Sequence, residues 1–197
     1  NAAVFFLDRL SRAALTLAES AAENDALVVF EPSGRSDPKL FDQAIRLAHI
    51  VKYADQRLSD AGGTMSEDTA TLLEIQTLGS QVLRFRHKKD GVPTAWIDLD
   101  AVPASEIIDT CGSGDWCTAG LLSKLASRGQ RVFATHDLDA ITDALNYGQT
   151  LAAWNCAFEG ARGGMYVDIH DDVLSLELDS AEQAAHSMAI SCPACPE

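Results

Sequence analysis

Two carboxylates enclose a run of small residues at Asp109-Thr-Cys-Gly-Ser-Gly-Asp115, and a helical stretch from Trp116 to Ser127 follows at once. Small residues at a helix start let backbone N–H groups converge on an anion, and the helix dipole adds about half a positive charge there. The amides of Gly112, Ser113 and Gly114 are therefore candidate donors to a phosphate-like group. Asp115 falls in the first helical turn, beside any such group. An acid is out of place in a site that only binds anions, but it suits one where it takes a proton from an attacking hydroxyl. A free Asp, with a pKa of about 3.9, is a weak base for an alcohol. In a loose phosphoryl-transfer transition state the proton leaves late, so placement of the carboxylate matters more than its basicity. The same residues also read as an ordinary helix start, with the glycines making a turn and Asp115 capping it.

Other chemistries fail on particular residues. A P-loop needs Gly-Lys-Ser/Thr, which the chain lacks. A nucleophile elbow needs Gly two positions before Ser113, where Cys111 stands. A Cys-x5-Arg phosphatase loop starting at Cys111 needs Arg at the position of Cys117. Cys192-Pro-Ala-Cys195 has the spacing of half a zinc site, but no second pair and no His at finger spacing accompany it, so it reads as an inert tail.

Composition narrows the classes further. The chain has 197 residues, 47% of them hydrophobic, enough for one globular domain over 1–197 with its own core. Acids outnumber bases 29 to 15, and the net charge of −14 argues against nucleic acid or an anionic membrane as a partner. It also repels phosphates, so a phosphate site must be built locally from helix-start amides and a few cations. No apolar run approaches the roughly 20 residues of a membrane helix. Five cysteines, an odd number, suggest reduced thiols in a cytoplasmic protein.

The elements that must position the turn alternate. Ala3 to Leu7 reads as a buried strand, and Ser11 to Glu23 as a helix with Ser11 at its N-cap and Leu10, Ala14, Leu17 and Ala21 on one face. Leu27 to Phe30 has the continuous apolar character of a strand covered on both faces. Asp37-Pro38 opens a second helix, with Leu40, Ala44 and Leu47 as its stripe, and Ile50 to Tyr53 is the next strand. A short helix is expected near 66–72. Strands follow at 73–77, 82–86 and 95–99, the last two joined by a hairpin turn at His87-Lys-Lys-Asp-Gly91. Helices are expected over 138–158 and 180–189. Strand–helix alternation of this kind predicts an α/β, three-layer αβα sandwich whose sheet is mostly parallel with one β-hairpin. The chain starts abruptly on a strand, so upstream residues are expected to be missing. That leaves an apolar sheet edge near 3–7 that could pair with another chain, as in a homodimer.

Asp109-Thr-x-Gly-Ser-Gly-Asp115, followed by Ala119-Gly-Leu-Leu122, closely resembles the second signature of the PfkB, or ribokinase-like, carbohydrate kinases. Three further matches keep the family's order. Glu31-Pro-Ser-Gly-Arg35 is similar to its Asp-Pro-Asn-x-Arg segment, Thr77-Leu-Gly79 to the Thr-Leu-Gly of its nucleotide site, and Ala152-Ala153 with Gly160-Ala161 to its C-terminal helix and turn. The resemblance implies ATP-dependent phosphorylation of a sugar or nucleoside hydroxyl. Asp115 is then the base, the amides of Gly112, Ser113 and Gly114 the anion hole, and Asp109 a ligand of a monovalent cation, usually K+. Thr77, Gly79, Arg35, Gln149 and Gly160 match nucleotide-site positions. Each also has a plain reading: Thr77 as a strand end, Arg35 as a solvated turn residue, Gln149 as an ordinary helix residue.

Two departures matter. The family's Asn-x-x-Glu, which helps place Mg2+, is replaced at Ala54 and Arg57, with Asp55 a local substitute, and the Gly expected three residues after Thr77-Leu-Gly79 is Val82. The N-terminal sugar-binding part and lid of the family are expected to be absent. The chain by itself is therefore expected to be inactive, and a non-catalytic nucleotide-binding or interaction domain is the competing reading.

Overall fold

The computed structural model describes residues 2–34, 37–55 and 64–166. Its backbone gathers into two compact units, one formed by Asn1–Ala101 with Leu121–Ala144 and the other by Val102–Gly120 with Leu145–Glu197.

The first unit is built on a sheet. Strands β1 (Val4–Leu7), β2 (Leu27–Phe30), β3 (Ile50–Ala54) and β4 (Leu73–Thr77) run parallel in that order. β5 (Val82–Lys89) pairs antiparallel with β4, and β6 (Val92–Pro93) and β7 (Ile97–Asp100) both pair antiparallel with β5. Helices α1 (Arg12–Glu23) and α2 (Pro38–Leu47) cross between the first parallel strands. Both helix starts are capped as their sequences predict. Ser11 Oγ accepts from Ala14 N at 3.1 Å, and Asp37 Oδ1 accepts from Lys39 N at 3.0 Å and Leu40 N at 3.1 Å.

The core shows why the strand sequences are continuous in their apolar character. All four residues of β2 are buried, and Val28, Phe30, Val51 and Tyr53 form one cluster with Leu15 and Ala18 of α1 and Phe41, Ala44 and Ile45 of α2. On the opposite face Leu27, Val29 and Ile50 are also buried. Residues 121–144 of the same unit contribute buried Leu121, Leu125, Phe133 and Ile141, and helix α4 (Gln130–Phe133) lies against β2. Helix, sheet and helix thus stack as the expected αβα layers.

Four expectations change. The buried stripe of α1 centres on Leu15 and Ala18, and Leu17 is 60% exposed, because the helix presents the row one residue on from the expected one. β1 is only half-buried and lies at the edge of the described sheet, with Phe6 45% exposed. No helix forms within 66–72. Ser66 and Thr69 instead close a local turn through Ser66 N to Thr69 Oγ1 (3.2 Å), while Thr64 and Met65 are held by Glu74. Finally, β5 extends to Lys89, so the tight turn is Asp90-Gly91 alone, with φ of 51° and 82°, the pattern of a type I′ turn. Thr77 to Val82 forms a second hairpin connection, closed by Leu78 N to Val82 O at 2.9 Å.

The second unit contains the Asp109–Asp115 turn. The division between units falls within α3 (Ser113–Leu125) and α5 (Leu138–Asn155), and a 3-10 turn at Gly163–Tyr166 ends the described chain. The expected helix at 180–189 and the Cys192–Cys195 pair lie outside the described residues. No helix among the described residues is long and apolar enough to cross a membrane.

Candidate active site

The turn at Asp109–Asp115 is held from behind by the end of α5 and the loop after it. Cys156 O accepts from Ile108 N at 2.8 Å and from Asp109 N at 3.1 Å. Asp109 uses both carboxylate oxygens: Oδ1 accepts from Cys111 N and Oδ2 from Gly160 N, each at 2.9 Å. These two N–H groups, Cys111's first and Gly160's second, hold the Asp109 carboxyl below the usual carboxylate range, so it is ionised at neutral pH. Trp116 Nε1 donates to Ala161 O at 3.0 Å, and its ring meets Trp154 edge-on at 5.5 Å.

Gly112 is required twice over. Its φ is +78°, and a Cβ placed there would come within 2.7 Å of Ala161 Cβ. The Gly160-Ala161 pair noted in the sequence is thus the surface against which the turn is pressed. Further along, α3 crosses α5 where a Cβ on Gly120 would lie 2.6 Å from Gly148 Cα.

Asp115 stands in the first turn of α3, exposed, and its carboxylate has no hydrogen-bond or ionic partner among the described residues. Of the expected anion-hole amides, Ser113 N already donates to Thr110 O at 3.2 Å, a long turn bond that a bound oxyanion would compete for. Gly112 N has no acceptor among the described residues. The second unit therefore brings together Asp109, Gly112, Ser113, Gly114, Asp115 and Gly160. Gln149 is in the same unit, buried in α5.

Thr77 and Gly79 belong to the first unit. Thr77 ends β4, half-buried between Ala54 and Leu83, and Gly79 is exposed in the following turn with φ of +69°. Arg35 and Arg57 lie outside the described residues. Asp55, the local substitute for the magnesium motif, accepts from Gln76 Nε2 at 2.6 Å, and Gln76 Oε1 in turn accepts from Arg84 Nε at 2.5 Å. The described residues contain no cluster of three or more His, Cys, Asp or Glu that could hold a metal ion.

Sequence reasoning missed Asn155. Its side chain is fully buried, with Nδ2 donating to Cys111 O at 3.2 Å and Oδ1 accepting from Gly164 N at 3.3 Å. The signal was a single amide between Trp154 and Cys156 at the apolar end of a helix, where an unpaired polar group would be costly.

The fold is that of the ribokinase-like kinases. Residues 2–166 match the pfkB family of carbohydrate kinases, and the chain belongs to that family. Among solved structures it is similar to a fructokinase with bound ATP from Xylella fastidiosa (17% identity, TM-score 0.69, covering 85% of this chain and 56% of that one). It is also similar to an aminoimidazole riboside kinase from Salmonella enterica, complexed with aminoimidazole riboside and an ATP analog (20%, 0.64, 83% and 56%). A Burkholderia thailandensis nucleoside kinase in complex with inosine matches at 22% identity and TM-score 0.55, covering 77% and 48%. The chain thus spans about half the length of these structures. No curated protein matches it in sequence.

Proposed function

We propose that the protein carrying this chain transfers the γ-phosphoryl group of ATP to a hydroxyl of a sugar or nucleoside, with Asp115 as the base. The observation that carries this reading is the Asp115 carboxylate. It is exposed and without a partner among the described residues, in a turn where the Asp109 carboxylate and the Cys111 carbonyl are both engaged. A base needs an open lone pair, and among the described residues nothing occupies either oxygen of this carboxylate. As the acceptor hydroxyl attacks phosphorus, its proton passes to Asp115, the bond to the bridging oxygen of ADP breaks, and ADP leaves. Amides of the Gly112–Gly114 turn stabilise the charge on the transferred group, where a preorganised donor is typically worth 10²–10³ in rate. Family membership and the kinases of similar fold, which bind ATP, inosine or aminoimidazole riboside, support the substrate class.

Asp109 suits a monovalent cation. It is ionised and each oxygen, though already accepting one N–H, keeps a lone pair, so a bound K+ would add positive charge beside the turn. At the family's magnesium motif Ala54 offers no donor, and Asp55, which accepts from Gln76 through Oδ1, is the remaining candidate carboxylate for Mg2+. Thr77, Gly79, Arg35, Gln149 and Gly160 are the proposed nucleotide contacts, on the strength of the sequence resemblance.

The test is ADP release by the whole protein with ATP across a panel of sugars and nucleosides, before and after Asp115→Asn. Turnover with at least one acceptor, lost in the variant while ATP binding persists, is the expected result. Near-normal turnover in the variant overturns the assignment. ATP binding without turnover on any acceptor favours a non-catalytic nucleotide-binding domain, the reading that the altered magnesium motif motivates.

A further inference from the structure

We infer that Asn155 is a positioning residue that aims the Gly112 N–H out of the Asp109–Asp115 turn, an inference that rests on the proposed phosphoryl transfer for its kinetic consequence. Cys111 C=O and Gly112 N–H belong to one planar trans peptide and point in opposite directions. Whatever holds the carbonyl therefore sets the direction of the amide. Asn155 Nδ2 donates to Cys111 O at 3.2 Å from a fully buried position, drawing that carbonyl toward the protein interior. The Gly112 N–H is thereby turned the other way, and among the described residues it has no acceptor.

The position needs such a restraint. A peptide that precedes a glycine at φ +78° can flip with little steric penalty, because no Cβ resists the mirror conformation. Neither of the neighbouring tethers fixes that plane. Asp109 Oδ1 engages the N–H of Cys111, on the preceding peptide, and Ala161 limits the approach of the Gly112 Cα without bonding to its amide. Asn155 is itself locked. Its Oδ1 accepts from Gly164 N at 3.3 Å, which fixes the amide's orientation and leaves Nδ2 directed at Cys111. A carboxylate in its place keeps the acceptor for Gly164 and turns the other oxygen against the Cys111 carbonyl, which favours the flipped peptide.

Asn155→Asp in the whole protein tests this with two readouts. Kinetically, kcat falls on the order of 10- to 100-fold, the range below outright loss of an oxyanion donor, while KM for the acceptor hydroxyl changes little. Spectroscopically, the 15N–1H resonance of Gly112 shifts on adding inorganic phosphate or ADP to the unaltered protein, and that response is lost in the variant. A merely structural Asn155 would lower thermal stability but leave the Gly112 response and the kcat-to-KM split intact, and that outcome overturns the inference. If Asp115→Asn abolishes turnover while Asn155→Asp leaves kcat unchanged, the inference fails and the proposed function stands. If Asp115→Asn retains turnover, the proposed function fails, and the Gly112 resonance alone decides the role of Asn155. Should Asn155→Asp not fold, Asn155→Ala, which adds no charge, gives the same comparison.

Discussion

Glu74 and Asp115 are both carboxylates in a strongly acidic chain, and their surroundings differ in every respect. Glu74, on β4, is completely buried. It accepts from Tyr53 Oη (2.9 Å), Thr64 N (2.6 Å), Thr64 Oγ1 (2.9 Å), Met65 N (3.0 Å) and Arg86 Nε (2.8 Å), with Arg86 Nη2 at 2.7 Å. Burial alone would raise its pKa, but the Thr64 N–H and then Arg86 outweigh it and hold the carboxyl below its ordinary value. Tyr53, buried and facing that charge, is pushed far above its usual range. Arg86 and Arg84 both lie over the Trp96 ring, at 4.8 and 4.7 Å. Asp115 is exposed, with no hydrogen-bond or ionic partner among the described residues. Where every lone pair is taken the acid is an architectural anchor, and where they are left open it is available to react.

The largest effect expected is on the open acid. Asp115→Asn should lower kcat of the whole protein by about 10³-fold with an unchanged melting temperature, as removal of a positioned base does. If instead its melting temperature drops and its rate does not, the two acids are alike. The reciprocal change is Arg86→Met, which leaves Glu74 buried without its cation. Urea denaturation should show a loss of about 3–5 kcal/mol, the usual result of breaking a buried ion pair from one side.

A smaller effect is expected for Gly112→Ala. The positive φ and the contact with Ala161 should together destabilise the folded state by about 1–3 kcal/mol and reduce turnover. Ala at the exposed Gly79, where a Cβ meets nothing within 4 Å, isolates the backbone part of that effect and should give the smaller loss.

The smallest concerns His49, whose Nδ1 accepts from Val28 N at 2.9 Å and so must be unprotonated. Burial lowers its pKa below 6.5, only partly opposed by Asp25, and His87 is lowered in the same sense by burial and by Lys89. The unfolded chain therefore binds more protons than the folded one once the pH falls below 6.5, and stability decreases from there downward. Denaturation should show lower stability at pH 5.5 than at pH 7.5, and His49→Gln should flatten that slope.

The sheet and the turn were not equally legible in the sequence. β2 announced itself as an apolar run, and Ser11 and Asp37 as caps, because those signals are local. The last three residues of β5 were hidden, since the His87-Lys88-Lys89 run looks like loop until its pairing with Leu73 and with β6 is seen. The missing helix near 66–72 has the same origin, because Glu74 captures Thr64 and Met65 from a distance in sequence. At the site, Asp109, Gly112 and Asp115 stood out by type and spacing. Asn155 did not, because its partner at Cys111 is 44 residues away and only the folded chain brings the two together.

The Gly120–Gly148 crossing has a mechanical consequence. Where helices meet through side chains, their separation is a sum of rotamers and can relax when temperature or a neighbour changes. Here backbone meets backbone, with no room for even a methyl group. The spacing of α3 from α5 at that point is a rigid length, set by atomic radii. α3 begins within the Asp109–Asp115 turn, and α5 ends with the residue that tethers it, so both are levelled from one incompressible fulcrum.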